Sequence, residues 1–371
     1  TGITDEAAAL TDYTATTTGA TSVTLTANGA WSVAAADLAA ALGDGVLLDG
    51  TLAVTSIASG SETAALTAYT DALTGATSVT LTASDTNWSV AAATLDTALA
   101  AAVRLNGDLT VIDIASDDEA GASTTYSKTA TGASNVMLTA SDGTWSVTAS
   151  ALDTDLGNDI KYAGALTITG ITDKTAALTD YTTTKTGATT NTLTADGNWS
   201  LAVATLDTAL TAGVRLSGAL TVTGITSGSE TGALAAYTTA KTGATTNTLT
   251  AADDGAWSIA ASDLTTALNA GVRLAGTLTV TSIASGNETT ALTDFTEAKT
   301  GASMNILTAS DTNWLVVATD LDTALTANVR LAGDLTVTGI STETNASTTY
   351  SKANTGASSV TLTASDATWS I

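Results

Sequence analysis

Cysteine, proline and histidine are all missing from this 371-residue chain. Without cysteine there is neither a disulfide framework nor a thiolate-held metal to supply stability. Without histidine the usual general base near neutrality is gone, and with the thiol nucleophile also missing, catalysis has little to stand on; no enzyme is expected. Without proline, turns fall to Gly, Asn, Asp and Ser. Positive charge is scarce as well. Eleven Lys and Arg face 36 Asp and Glu, a net charge of −25, which makes nucleic acid and anionic membranes poor partners. No apolar run approaches the roughly 20 residues of a membrane-spanning helix, so no membrane insertion is expected. Hydrophobic residues nevertheless make up 44% of the chain and charged ones only 13%, which separates it from a disordered acidic tail.

What the chain does have is repetition. Tryptophan returns at Trp31, Trp88, Trp145, Trp199, Trp257, Trp314 and Trp369. A second aromatic keeps the same beat at Tyr13, Tyr69, Tyr126, Tyr181, Tyr237, Phe295 and Tyr350, and a Thr-Gly-Ala lies between the two in every repeat, from Thr18, Gly19, Ala20 to Thr355, Gly356, Ala357. Seven repeats follow: 1–49, 50–106, 107–163, 164–217, 218–275, 276–332 and 333–371, the first and last incomplete. A unit of about 60 residues buries only about 60% of its unfolded surface, so the repeats must lean on one another. Repeats one and four begin alike (Gly2-Ile3-Thr4-Asp5, Gly170-Ile171-Thr172-Asp173), and repeats three and seven share Ala-Ser-Thr-Thr-Tyr-Ser-Lys, so a block has been duplicated. Residue 1 falls inside one strand pattern and residue 371 inside another, and the repeats are expected to continue beyond both.

Within a repeat, Leu220 and Val222 alternate with Thr221 and Thr223, the period of a half-buried strand. The segment Ala233, Leu234, Tyr237 reads as helix by spacing, whereas Ser123 to Tyr126 reads as strand, and sequence leaves the two open. A second strand, such as Val79-Thr80-Leu81-Thr82, precedes the Trp strand. Asp85, Asp142, Asp196, Asp254, Asp311 and Asp366 stand three residues before Trp, with Asn28 in that place in the first repeat, which predicts a hairpin opened by an Asx turn. A helix of about two turns follows, with Ser262 as its expected N-cap. Its exits carry Gly45, Asp159, Gly213, Gly271 and Asn328, all tolerant of left-handed geometry, with Ala102 the exception.

Several recurring residues are candidate sites. The Trp side chains read as core anchors, with sugar-stacking platforms as the alternative. Glu62, Glu119, Glu230, Glu288 and Glu343 recur in the loop after the first strand and are candidate calcium ligands at repeat junctions, using backbone carbonyls as well; the hairpin Asp residues are weaker candidates, since turn formation already accounts for them. Arg104, Arg215, Arg273 and Arg330 are expected to pair with acids. Asn191, Asn247 and Asn305, with Lys185, Lys241 and Lys299, form a polar set read as a solvent-facing strand edge, with an interface as the alternative. Sequons at Asn87, Asn198, Asn287 and Asn345 permit a glycan.

The stretches Asp142-Gly143-Thr144-Trp145-Ser146-Val147 and Asp254-Gly255-Ala256-Trp257-Ser258-Ile259, each followed by Leu152 or Leu264 and later by a Gly-x-Leu-Thr-Val-Thr strand, resemble the bacterial Ig-like repeats of large secreted adhesins and surface-layer proteins. That resemblance implies small β-sandwich modules exported to the cell surface, often with calcium at their junctions. The repeats here are shorter than is usual in that family, lack its proline and add a Val272-Arg273-Leu274 segment. The expected fold is therefore mainly β: a tandem array of seven Ig-like, β-sandwich-like repeats, each with one short helix, or alternatively a continuous β-solenoid. The expected role is that of a non-enzymatic, extracellular structural protein, a segment of a microbial surface fibre, surface layer or matrix filament. Its partners would be further copies or further repeats of the same chain. Alternatives are the stalk of an adhesin and, lower, a carbohydrate-binding repeat protein.

Overall fold

The computed structural model describes residues 1–252, 255–342 and 344–366, so Asp254, Glu343 and Trp369 lie outside the described residues. Two compact units divide the chain, one of Thr1–Ile171 with Thr179–Asn191, the other of Thr172–Leu178 with Thr192–Ile371.

Each unit is built from the same strands. Alternation does form them: strand Val103–Ile114 buries Val103, Leu105, Leu109, Val111 and Ile114 while Arg104 and Thr110 stay half-exposed. The pairing is parallel. In the first unit Trp31 lies beside Leu52, Leu52 beside Val79 and Val79 beside Val103, and the next ladder runs Trp88, Leu109, Val136, Ile160. In the second unit the ladders run Trp199, Leu220, Asn247, Val272 and then Trp257, Leu278, Asn305, Val329. Parallel neighbours need a crossover of a dozen or more residues. Helices supply it. Helix Ala261–Asn269 leads from the Trp strand to Val272 and buries Leu264 and Ala267; helices Glu230–Ala236 and Thr239–Thr242 connect strand Ala219–Ile225 to strand Thr246–Ala251.

Three expectations are thereby corrected. The array is mixed α/β with parallel sheets, so the predominantly β, Ig-like sandwich is overturned, as is a β-solenoid, because helices make the crossovers. Alternation reads the same in parallel and antiparallel strands; the connections of residues 58–77 and 226–245 were the better signal, since hairpin loops take about 2–5 residues. The ambiguous segment is helical, giving three helical pieces per repeat rather than one. The hairpin before Trp does not form. Strands Ser78–Ala91 and Val103–Ile114 pair on both sides of the turn, Val79–Thr82 with Val103–Asn106 and Asn87–Ala91 with Asp108–Ile112. The Asx turn is real, with Asp85 Oδ1 accepting from the Asn87 amide at 3.0 Å, but it closes a bulge opposite Gly107 and does not reverse the chain. The helix also begins earlier than Ser262, at Ala261, with Ala260 as a cap lacking a side-chain bond. Ala102, despite its side chain, joins the other helix exits in left-handed geometry, at φ 57°.

Two glycines have steric reasons. Gly276 has φ +103°, and a Cβ there would stand 2.0 Å from the Gly255 carbonyl oxygen, which crosses over it. The glycine of Thr-Gly-Ala, for instance Gly301 at φ +84°, lies against the backbone of Leu274 on the outer edge of the exit strand, covering an edge that would otherwise be open.

Candidate functional site

The six described tryptophans are 0–2% exposed. Each indole Nε1 donates to the carbonyl 18 residues later, of Asp49, Asn106, Ala163, Ser217, Ala275 and Ala332, at 2.9 to 3.1 Å. The bond ties the Trp strand to the residue before a glycine, which in four repeats (Gly107, Gly164, Gly276 and Gly333) lies against the backbone of the turn before Trp. A ring so enclosed offers no face on which a sugar could stack.

The arginines find no acid. Ion pairs among the described residues join Lys128 with Asp159, Lys185 with Asp180 and Lys299 with Asp294, and the arginines take other partners. Arg273 instead donates from Nη1 to the carbonyls of Leu268 at 3.2 Å and Val272 at 2.9 Å, and Arg104, Arg215 and Arg330 do the same in their repeats. The exit strand follows the helix so closely that its guanidinium reaches a carbonyl of the last helical turn, one that also accepts the Gly271 amide at 3.2 Å, and the carbonyl of the residue before the arginine.

Asn191, Asn247 and Asn305 are 0% exposed, which overturns the solvent-facing edge. They occupy the core-facing register of Val79 and Val136. Asn247 donates from Nδ2 to the Tyr237 carbonyl at 2.6 Å and accepts at Oδ1 from the Thr242 hydroxyl at 3.2 Å; Asn191 bonds the Tyr181 carbonyl and Thr186 in the same way. Lys185 and Lys299 stay at the surface with their aspartates, while Lys241, with Ala236 in the aspartate's place, donates to the Ala235 carbonyl at 2.8 Å.

Glu62, Glu119, Glu230 and Glu288 each open a helix, where a carboxylate suits the positive end. Glu230 and Glu288 accept from the amides of Gly228 and Gly286 at 2.7 Å. Burial, reinforced by the Asp142 charge, raises the Glu119 carboxyl above its ordinary value. Among the described residues no three acids come close enough to hold a metal ion.

A concave feature forms where the parallel strands end. In the second unit, strands Trp199–Ala202 and Ala219–Ile225 deliver their C-terminal ends between helices Val203–Thr211 and Glu230–Ala236, leaving a cleft of about 640 Å³. Gly224, Gly228 and Gly232 open one wall; Asp207 and Tyr237 close the end. The equivalent cleft in the next repeat holds about 430 Å³, because Ser282 and Thr290 replace two of those glycines.

Across this cleft runs a polar latch that sequence reading missed. The Tyr237 hydroxyl donates to Asp207 Oδ1 at 2.8 Å, and Tyr181 donates to Asp153 at 2.8 Å. Tyr126 is bonded to Asp96 and Tyr350 to Asp322, whereas Tyr69 donates to the Ala35 carbonyl at 2.9 Å. Burial first, then the bond and charge of the neighbouring carboxylate, push these phenols up, Tyr350 to about 12 and Tyr126, Tyr181 and Tyr237 further. A signal was present in the repeats: the fifth helix residue is Asp96, Asp153, Asp207 or Asp322 before a latched tyrosine, and Thr265 before Phe295. The arrangement fastens one helix to the next and leaves the cleft floor uncharged apart from that carboxylate. No family model, curated protein or solved structure matches the chain.

Proposed function

We propose that this chain is a non-enzymatic, repetitive segment of an extracellular structural protein, a microbial surface fibre, surface layer or matrix filament, assembling with further copies or further repeats of itself. One observation carries the reading: neighbouring ladders share continuous strands. Ser78–Ala91 and Val103–Ile114 in the first unit, and Met304–Val317 and Val329–Ile340 in the second, each pair with one another in two successive ladders. Successive repeats are thus joined through backbone hydrogen bonds within each unit, where a linker would leave them free to swing. The recurring polar groups support the same reading: indoles such as Trp257 hold strand to strand, the arginines hold strand to helix, and the Asn247 amide and Tyr237 phenol hold strand to helix and helix to helix.

Electron microscopy of the purified chain tests the proposal, with ordered polymers expected. Isolated, non-polymerising particles at high concentration would instead favour the stalk of an adhesin, which rests on the same shared strands but carries its binding function elsewhere. Turnover of any polysaccharide by the pure chain would refute both.

A further inference from the structure

In the second unit, the repeat of Phe295 lacks two fastenings that its neighbour has. Phe295 has no hydroxyl and Thr265 no carboxylate, so the latch made by Tyr237 with Asp207, and again by Tyr350 with Asp322, is missing between helices Ala261–Asn269 and Glu288–Asp294. The second loss is independent. Asn305 keeps the bond from the Thr300 hydroxyl at 2.9 Å, but its Nδ2, fully buried, has no partner, whereas the Nδ2 of Asn247 holds the main-chain carbonyl of Tyr237 at 2.6 Å. The aromatic residue that closes the cleft is therefore fastened at its hydroxyl and its carbonyl in one repeat and at neither in the next. Burying an amide without a partner is unfavourable in itself. The remaining hold on Phe295 is its packing, for it is 4% exposed, and the helix-end amide bond to the Ala291 carbonyl at 3.1 Å, which Tyr237 has as well.

We propose that the Phe295 joint is a built-in yielding point: helix Glu288–Asp294, with Phe295 and the following turn Glu297–Thr300, separates from helix Ala261–Asn269 before the corresponding pieces of the flanking repeats move. Such a joint concentrates deformation at one place and spares the ladders that share strands.

Hydrogen exchange of the whole chain, followed peptide by peptide, tests this. Amides of 291–300 are expected to exchange about tenfold faster than those of 233–242, the factor that corresponds to one lost hydrogen bond of ordinary strength. In the double variant Thr265→Asp with Phe295→Tyr, which restores the latch but not the Asn305 bond, the rate at 291–300 should fall several-fold toward that of 233–242. The reverse variant Tyr237→Phe keeps the question open to refutation if the double variant does not fold: it should accelerate exchange at 233–242 several-fold. Equal rates for the two segments in the unaltered chain would overturn the proposal, as would a folded double variant with unchanged exchange or a Tyr237→Phe chain with none.

Discussion

Repeats 218–275 and 276–332 share a Trp core, a turn before Trp crossed over a glycine, an arginine on the helix C-terminus and a Thr-Gly-Ala turn on the strand edge. They differ around the cleft. The first has Gly224, Gly232, Asp207 and Tyr237; the second has Ser282, Thr290, Thr265 and Phe295. The parts that fix the ladder are therefore invariant, while those that fasten helix to helix vary in pairs. Strand pairing leaves no freedom, because the indoles of Trp257 and Trp314 bond the neighbouring strand at Ala275 and Ala332, and Gly276 and Gly333 meet the backbone of Gly255 and Thr312, whereas a helix pair over a cleft tolerates a wider or narrower gap.

The largest effect should ignore the difference between the repeats. Trp257→Ala and Trp314→Ala should each destabilise by about 3–5 kcal/mol, since each empties a fully enclosed site, and denaturant unfolding should find the two alike; a gap of more than about 1.5 kcal/mol would mean that the cores are not equivalent.

Glycine substitutions come next. Gly276→Ala places a Cβ on the Gly255 carbonyl as well as straining φ, and should cost more than Gly286→Ala, which has φ +89° but open space around it. About 1–2 kcal/mol is expected for strain alone, with the steric cost added only at Gly276. Exchanging the cleft residues should give opposite signs. Gly224→Ser should destabilise and Ser282→Gly, which relieves φ 59°, should stabilise, each by about 1 kcal/mol, readable as shifts in the unfolding midpoint.

Tyr237→Phe should cost about 1 kcal/mol, near the low end for a bond to a charged group because Asp207 is exposed. High pH sharpens the same contrast without mutation. A latched tyrosine has its folded value raised above the ordinary 10.0, so its contribution is complete below pH 10 and is lost as pH climbs through the folded value, about 12 for Tyr350. Hydrogen exchange between pH 10 and 12, corrected for its intrinsic rate, should show protection falling at Tyr350 and no such titration at Phe295. The smallest effect belongs to the surface. Lys299→Ala should change stability by at most about 0.2–1 kcal/mol, and less in salt, because both partners of the Asp294 pair are half-exposed.

Much of this could be read from residues alone. The period, the strand segments, the Asx turn at Asp85 and the left-handed helix exits at Gly271 and Asn328 all depend on local backbone chemistry, which neighbouring residues carry. The cap lies two residues before the expected Ser262, at Ala260, because the strand runs directly into the helix and its last residue serves as the cap. Side-chain partners were less legible. Arg273 was assigned to an acid and found helix carbonyls; Asn247 was assigned to an edge and found the core. The Arg273 partners lie only one and five residues upstream, whereas those of Asn247 lie on the crossover helices that strand direction requires.

Strand direction is the division between what sequence determined and what only tertiary structure decided. Alternation fixes which side of Leu220 and Val222 faces inward, and that holds whichever way the neighbouring strand runs. Whether the neighbour is parallel depends on the crossover, and the crossover depends on whether Glu230–Ala236 packs as a helix against the sheet, a choice made by long-range burial. Once the helices take that place, the strands on either side must run the same way, the expected sandwich becomes an α/β array, and the cleft with its tyrosine latch appears at the strand ends.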